Sequence, residues 1–418
     1  MLIEFSVENF LSFKDRASLT MEADSSSELE NNFSTTNNLN ILKTSAIYGA
    51  NASGKTNLIK AFTALILMVR GSDSLQIGAP IPLITPYAFE SKTTEKPCVF
   101  GVSFIRNNEK YEYGVSATGQ RIFSEYLKVY HSKKPTTVFM RDMDSYTFPS
   151  QKDRPILESI AKMTPSNKLF LSTATTWNYA GTKEARLWFD TINTYDNFSV
   201  IKDSSWDEMR DNKSELKSFM LRLLKEADLA ISDFEVEIKE MDIDNIFAKG
   251  LITIPMIGGT QEKPRLRNIK VSMIHDVKNS NNIERYSLDF NNESSGTRTL
   301  FALAPLLKDA FSNPQIIIVD ELEKSLHPLL FKYILDLFNN KNLNKASSQL
   351  IFTTHSTEPL DSGSLRRDQI WFTEKDNENG RSSLYSLSDF SVRKGENIRK
   401  GYLNNRYGGV PFISNEDK

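Results

Sequence analysis

The 418 residues carry 51 Lys and Arg against 53 Asp and Glu, a net charge of −2, so no global basic field recruits nucleic acid. The single cysteine, Cys98, excludes an internal disulfide framework and any multi-cysteine zinc site, while the length suits several domains or one nucleotide-binding domain with a large insertion. No apolar run approaches the roughly 20 residues that cross a bilayer, and MLIEFSVENF lacks the basic-then-apolar build of a signal peptide, so a cytoplasmic protein with no membrane partner is expected.

At the N-terminus Ile3, Phe5 and Val7 alternate with Glu4, Ser6 and Glu8, the pattern of a half-buried strand, and Ala17 to Met21 reads as its neighbour. Glu22 to Asn40 is rich in Ser and Asn and reads as a mobile surface loop. Thr44 to Tyr48 is a short strand, Asn57 to Val69 is a buried helix, and between them lies GANASGKT, Gly49 to Thr56. This fits the phosphate-binding pattern of Gly, four residues, Gly, Lys, Ser or Thr. The chemistry explains the residue types: backbone N–H groups must turn inward around phosphate oxygens, which small residues and Gly dihedrals allow, and the following helix adds its positive end. Gly49, Asn51, Ser53, Gly54, Lys55, Thr56 and Asn57 are the expected nucleotide-binding residues, with Lys55 on the β- and γ-phosphates of ATP and the Thr56 hydroxyl on Mg²⁺.

From Val99 to about Phe148 alternating runs separated by Asn107-Asn108 and Thr118-Gly119 predict a β-meander. The period turns helical from Pro155 to Leu229, where Leu216, Phe219, Met220, Leu223, Leu224 and Ala227 form one apolar stripe suited to core packing. Strands return at Phe234–Ile238, Leu251–Met256, Ile269–Ile274 and Tyr286–Phe290, with Gly258 to Pro264 as an exposed loop. The acid pairs Asp142 with Asp144 and Asp242 with Asp244 read as solvated loops, because neither follows a buried strand that delivers a matching Glu.

Gln315 to Val319 is a continuous apolar run ending in Asp320-Glu321, a buried parallel strand that delivers two carboxylates at its C-terminal edge. Asp320 is the expected second holder of Mg²⁺ and Glu321 the expected base for an attacking water. Another buried run, Gln349 to Thr353, ends at Thr354-His355-Ser356, which puts His355 where a polar side chain would face a γ-phosphate.

Together NFLSF, GANASGKT, ESSGTRTL (Glu293 to Leu300), IIIVDELEKSLHP (Ile316 to Pro328) and IFTTHS (Ile351 to Ser356) resemble the ABC-type ATPases of the SMC, RecF and OLD group. RRDQIWF (Arg366 to Phe372) and YLNNRYGGVPF (Tyr402 to Phe412) are similar to the RloA-like AAA-family ATPases of bacterial abortive-infection and phage-defence loci. The resemblance implies an α/β fold, an ABC-type P-loop NTPase core with a flanking antiparallel β-meander and a helical insertion. It implies an N-terminal lobe over 1–150, an insertion over 151–232 and a C-terminal lobe over 233–418. It also implies that Ser294 and Gly296 contact the γ-phosphate bound by another subunit, so that a homodimer or higher homo-oligomer forms composite ATP sites. Ser295 stands where the family's signature has its first Gly, Thr297 replaces the usual Gln, and His327 stands where many members have Asp. The early Arg near the adenine is absent from NFLSF, with Lys14 and Arg16 as the nearest substitutes.

The function so implied is an ATP-hydrolysing, dimerising switch of an anti-phage system that controls a separate effector protein, a nuclease being one kind. The alternative is a RecF-like repair or clamp ATPase whose principal ligand is DNA. Only 63 residues follow His355, too few for the Toprim nuclease that OLD-like relatives carry. The ATPase half of a transporter is disfavoured, because 240 positions separate Thr56 from Gly296.

Overall fold

The computed structural model describes residues 1–195, 201, 203–227, 231–241, 266–279, 282–324, 326–361, 363–392 and 395–411. The expected strand Leu251–Met256, the loop Gly258 to Pro264 and the pair Asp242 and Asp244 lie outside the described residues. The chain forms two compact units, Met1–Asn197 with Ala310–Lys418, and Phe198–Asp309.

In chain order the strands are β1 (Leu2–Glu8), β2 (Ala17–Thr20), β3 (Phe33–Thr36), β4 (Leu39–Leu42), β5 (Thr44–Gly49), β6 (Cys98–Arg106), β7 (Glu109–Ala117), β8 (Ile122–Tyr130), β9 (Thr136–Asp142), β10 (Ser145–Thr147), β11 (Ile192–Tyr195), β12 (Ile231–Met241), β13 (Leu266–Asn279), β14 (Asn282–Asp289), β15 (Ile316–Val319), β16 (Gln349–Thr353), β17 (Ile370–Lys375) and β18 (Ser382–Ser386). In the first unit a six-stranded sheet has the order β11-β15-β16-β5-β17-β18. Its strands are parallel except β18, which returns antiparallel to β17. A seven-stranded antiparallel sheet, β10-β9-β8-β7-β6-β1-β2, contains the expected meander. This is the α/β P-loop NTPase fold with a flanking antiparallel sheet.

The helix α1 (Lys55–Gly71) joins the sheets. Ten of its side chains are buried, and Phe62 stacks on Phe5 of β1 with ring centroids 3.7 Å apart. Phe5, Phe62, Ile318 and Ile351 belong to one continuous core, and each such side chain contributes about 1.5–3 kcal/mol on burial. At the start of β16, Gln349 accepts from Leu2 N at 2.6 Å and donates to the carbonyls of Leu2 and Leu42, both at 3.0 Å. One amide thereby ties three strands together.

The stretch Glu22 to Asn40 is not a mobile loop. It holds a 3-10 turn at Glu30–Asn32 and the paired strands β3 and β4, and Asn32 is buried. Its anchor is distant in sequence: the Arg366 guanidinium donates to Ser26 O at 3.0 Å and to Glu28 O, and pairs with Asp24 and Asp368, both at 2.8 Å. Gln369 accepts from Asn32 at 2.7 Å and donates to Thr44 O at 2.9 Å. These contacts explain three residues of RRDQIWF as structural.

The helical stretch after 151 is divided between the units. The helices Arg154–Lys162, Phe170–Thr176 and Ala180–Trp188 belong to the first, where buried Glu125 accepts from Phe170 N at 2.7 Å and Leu171 N at 2.9 Å. Burial pushes the Glu125 carboxyl up, while Arg141 and these N–H groups oppose the shift. In the second unit the helices Asp203–Arg210 and Glu215–Glu226 accompany the sheet β12-β13-β14. Leu216, Phe219, Met220, Leu223 and Leu224 of the expected stripe are buried, and Lys217 lies 5.0 Å from the Phe234 ring. Among the described residues no helix is long and apolar enough to cross a membrane.

Candidate nucleotide site

Because β5, β15 and β16 run parallel and adjacent, their C-terminal ends open at one edge of the sheet. That edge brings together Gly49 to Thr56, Asp320-Glu321 and Thr354 to Ser356, as expected for a site at strand carboxyl ends. Gly54 has φ +121 and a Cβ there would lie 2.5 Å from Ser382 Oγ; Gly49 has φ +157 and a Cβ there would lie 2.4 Å from Ser53 Oγ and Thr373 Oγ1. Neither position accommodates a side chain without movement.

The N-terminus of α1 has no side-chain cap. Ser214, His327 and Asn397 cap other helices, while Arg154–Lys162, Phe170–Thr176 and Ala180–Trp188 share the uncapped start, so what distinguishes α1 is the phosphate loop that leads into it. Free N–H groups and the helix dipole therefore remain for an anion at the end of the phosphate loop. Lys55 is buried over the loop and donates to Gly49 O at 2.8 Å and Ala50 O at 3.0 Å. Burial lowers its pKa, and the carboxylates of Asp320, Glu321 and Glu323 work against that shift. An ammonium held this way gains from an arriving phosphate.

The exposed Thr56 hydroxyl donates to Asp320 Oδ2 at 2.8 Å, while Thr353 Oγ1 donates to Asp320 Oδ1 at 2.5 Å and accepts from Glu321 N at 2.7 Å. Asp320 N is held by Tyr195 O at 3.0 Å. The hydroxyl and carboxylate of Thr56 and Asp320 are hard oxygen donors, the type that Mg²⁺ takes alongside phosphate and water. Glu321 lies in the left-handed region, φ 54, and its side chain is 46% exposed. The turn is locked on both sides, by Leu322 N on Thr353 O at 3.2 Å and Lys324 N on Glu321 O at 3.0 Å. Thr354 N donates to Ile47 O at 3.1 Å, and His355 is exposed beyond it.

The remaining loop residues act in its support. Ser53 Oγ and Thr373 Oγ1 are 2.6 Å apart, and Ser382 Oγ donates to Ser53 O at 2.7 Å and lies 2.8 Å from Ser12 Oγ. Asn57 donates to Ser12 Oγ at 2.8 Å, so the NFLSF segment braces the loop from behind. Asn51 is exposed and lines a cleft of about 1050 Å³ with Ala50, Ala52, Ser53, Phe89, the turn Glu374–Gly380 and Asn405. Lys55, Thr56, Asp320, Glu321 and His355 do not line it, and its wall carries Glu374, Asp376 and Glu378 against the single cation Lys375. The cleft is therefore beside the phosphate seat. Lys14 pairs with Glu90 at 2.5 Å, next to the cleft residue Phe89, whereas Arg16 turns to Ser6 Oγ at 3.2 Å.

Ser294 and Gly296 belong to the second unit. Ser294 Oγ accepts from Thr297 N at 3.1 Å and lies 2.8 Å from Thr297 Oγ1, so Thr297 completes a local turn. His275 Nε2 and Glu293 Oε1 are 2.7 Å apart just before it. His327 has a local role as well, its Nδ1 accepting from Leu329 N at 3.3 Å. Asp144 pairs with Arg121 at 3.1 Å on the surface, and the buried Cys98 thiol is pushed up to about 12, unsuited to nucleophilic or redox work.

Sequence reasoning missed Thr353, Thr373, Ser382 and Ser12, whose hydroxyls hold the site, and Glu323, which accepts from His355 N at 2.6 Å. A signal existed for two of them: Thr353 ends a buried strand, and Glu323 is the third carboxylate of Asp320-Glu321-Leu322-Glu323.

A family described as "AAA domain, putative AbiEii toxin, Type IV TA system" matches residues 45–361, a span holding the phosphate loop, the acidic strand end and His355. The chain belongs to this family. As a member it carries an AAA ATPase domain. Among solved structures it is similar to an SMC head domain from Thermotoga maritima, at 15% identity over 92% of this chain and 98% of that one, with a TM-score of 0.42. It is also similar to an SmcHead bound to the C-winged helix domain of ScpA, at 14% identity over 92% and 97%, with a TM-score of 0.39. No curated protein sequence matches it.

Proposed function

We propose that this AAA domain binds and hydrolyses ATP and works as a dimerising switch. The observation that carries the reading is the hydroxyl–carboxylate array of Thr56, Asp320 and Thr353, set between a buried Lys55 and an exposed Glu321. Gly49, Asn51, Ser53, Gly54, Lys55, Thr56 and Asn57 form or brace the phosphate seat. Thr56 and Asp320 would hold Mg²⁺, which when bound offsets negative charge on the phosphates. Lys55 would leave its carbonyl partners for phosphate oxygens. Glu321 accepts the proton of the attacking water, and His355 meets the γ-phosphate end. Ser294 and Gly296 serve the site of a second copy, so each ATP is held by two chains.

The setting we propose is bacterial anti-phage defence, with this chain in the cytoplasm and its nucleotide state read by a separate effector. The family's description, which names AbiEii and toxin–antitoxin systems, supports that setting. The test is Glu321→Gln: ATP binding persists while turnover falls about a hundredfold or more, the loss typical of a positioned base. Turnover equal to wild type in that variant would remove Glu321 from the role.

A further inference from the structure

Glu323 is three residues beyond Asp320 and has a partner that neither Asp320 nor Glu321 shares. Its Oε1 accepts the backbone N–H of His355 at 2.6 Å, across 32 positions of sequence. Its Oε2 is buried and, among the described residues, has no hydrogen-bond partner. The Tyr48 hydroxyl, one residue before Gly49, is also buried without a partner. Burial raises the Tyr48 pKa well above its ordinary value, and the Glu323 charge adds to the shift, so the two groups are within electrostatic reach. Glu323 also acts on Lys55. The turn that presents it is fixed, with Leu326 N on Glu323 O at 2.9 Å.

We propose that Glu323 is the positioning residue of the γ-phosphate end: it fixes the backbone of His355 relative to the Asp320-Glu321 turn. This rests on the ATPase reading above. The physical reason is that His355 follows the last residues of β16, where Thr354 N is the final link to β5. Beyond that link, among the described residues, the segment is held by Glu323 on His355 N at 2.6 Å and by Thr354 Oγ1, which accepts from Ser356 N at 3.0 Å. A short charge-assisted bond supplies what the sheet no longer does. The carboxylate also joins two segments that must keep register during turnover, the base-bearing turn and the switch segment. Glu323 touches no reacting atom, and the route proposed for its effect is the hydrogen bond to His355 N, which the double variant with His355→Ala separates from its electrostatic action on Lys55.

The test compares Glu323→Ala, Glu323→Gln, His355→Ala and the Glu323→Ala/His355→Ala double variant in the full chain, measuring steady-state ATPase, ATP affinity and hydrogen exchange over residues 354–357. Misplacing a reacting group by about 1 Å costs on the order of a hundredfold, so Glu323→Ala should lower kcat by about ten- to a hundredfold with ATP affinity changed less than about threefold. Glu323→Gln keeps an oxygen that accepts from His355 N and should recover much of the loss. In the His355→Ala background Glu323→Ala should cost less than about twofold more, because residues acting as a unit are not additive. Exchange over 354–357 should be faster in Glu323→Ala and near wild type in Glu323→Gln. Unchanged kcat and exchange in a folded Glu323→Ala, or losses that multiply in the double variant, overturn the proposal. A wild-type protein that binds ATP but never hydrolyses it sinks the ATPase reading instead, and exchange then reports whether Glu323 still holds the segment.

Discussion

Thr353 shows how much of the site depends on groups that never touch a ligand. Its hydroxyl has one proton and two lone pairs, and it spends the proton on Asp320 and one lone pair on Glu321 N, so a single rotor orients both acids. Thr353→Val keeps the shape and removes both bonds, leaving the Glu321 N–H without its acceptor. We expect a loss of about 1–3 kcal/mol in stability, the usual cost of an orphaned polar group, read as a lower Tm. Mg²⁺-dependent ATP binding should weaken as well, because Asp320 loses the donor that holds it beside Thr56. An unchanged melt with unchanged Mg²⁺ dependence would show that Thr353 is replaceable. The chain announced Asp320 and Glu321 by their position after an apolar run, but a Thr inside a strand carries no comparable mark.

At the scale of elements, the strands that carry chemistry were legible because burial on both faces forces continuous apolar runs, as in β15 and β16. The segment from Glu22 to Asn40 was not, because its order comes from Arg366, Asp368 and Gln369, more than 300 positions later. Local polarity says loop, and distant hydrogen bonds decide otherwise. Lys43, which joins β4 to β5, belongs to the same arrangement: it is buried and donates to Asn31 O at 2.9 Å and Asn339 O at 3.4 Å. Burial, with a further contribution from Lys341, lowers its pKa to about 8. The folded state therefore releases this proton about two units before the unfolded chain, whose Lys titrates near 10.4. Between these values the unfolded state binds more protons, so the Lys43 contribution makes stability rise with pH from about 8 to about 10. Chemical denaturation across that range should show the rise, and Lys43→Met should flatten it. An equal slope in both proteins would place the titration elsewhere.

For the whole molecule, the phosphate loop and the signature belong to different compact units, Lys55 to Met1–Asn197 with Ala310–Lys418 and Ser294 to Phe198–Asp309. In the proposed dimer a second copy supplies the signature. If Ser294 serves the phosphate held by Lys55 of another chain, each active site needs one residue from each partner. Lys55→Ala and Ser294→Arg should then both be inactive alone, the first for lack of a phosphate contact and the second because a bulky cation fills the signature position. Mixed, they should recover activity, since a heterodimer has one site with both wild-type halves and one site with both lesions. With equal amounts and random pairing about half the dimers are mixed and each has one of two sites intact, so about a quarter of wild-type turnover is the ceiling for independent sites. Coupling between sites lowers that figure. Subunit exchange must be verified first, by a tag on one variant that retrieves the other. Zero recovery after verified exchange argues for obligatory coupling or for a site complete within one chain. Dilution separates these two: a wild-type rate per chain that stays constant far below the measured dimer dissociation constant means one chain suffices, and a rate that falls with dimer population means it does not.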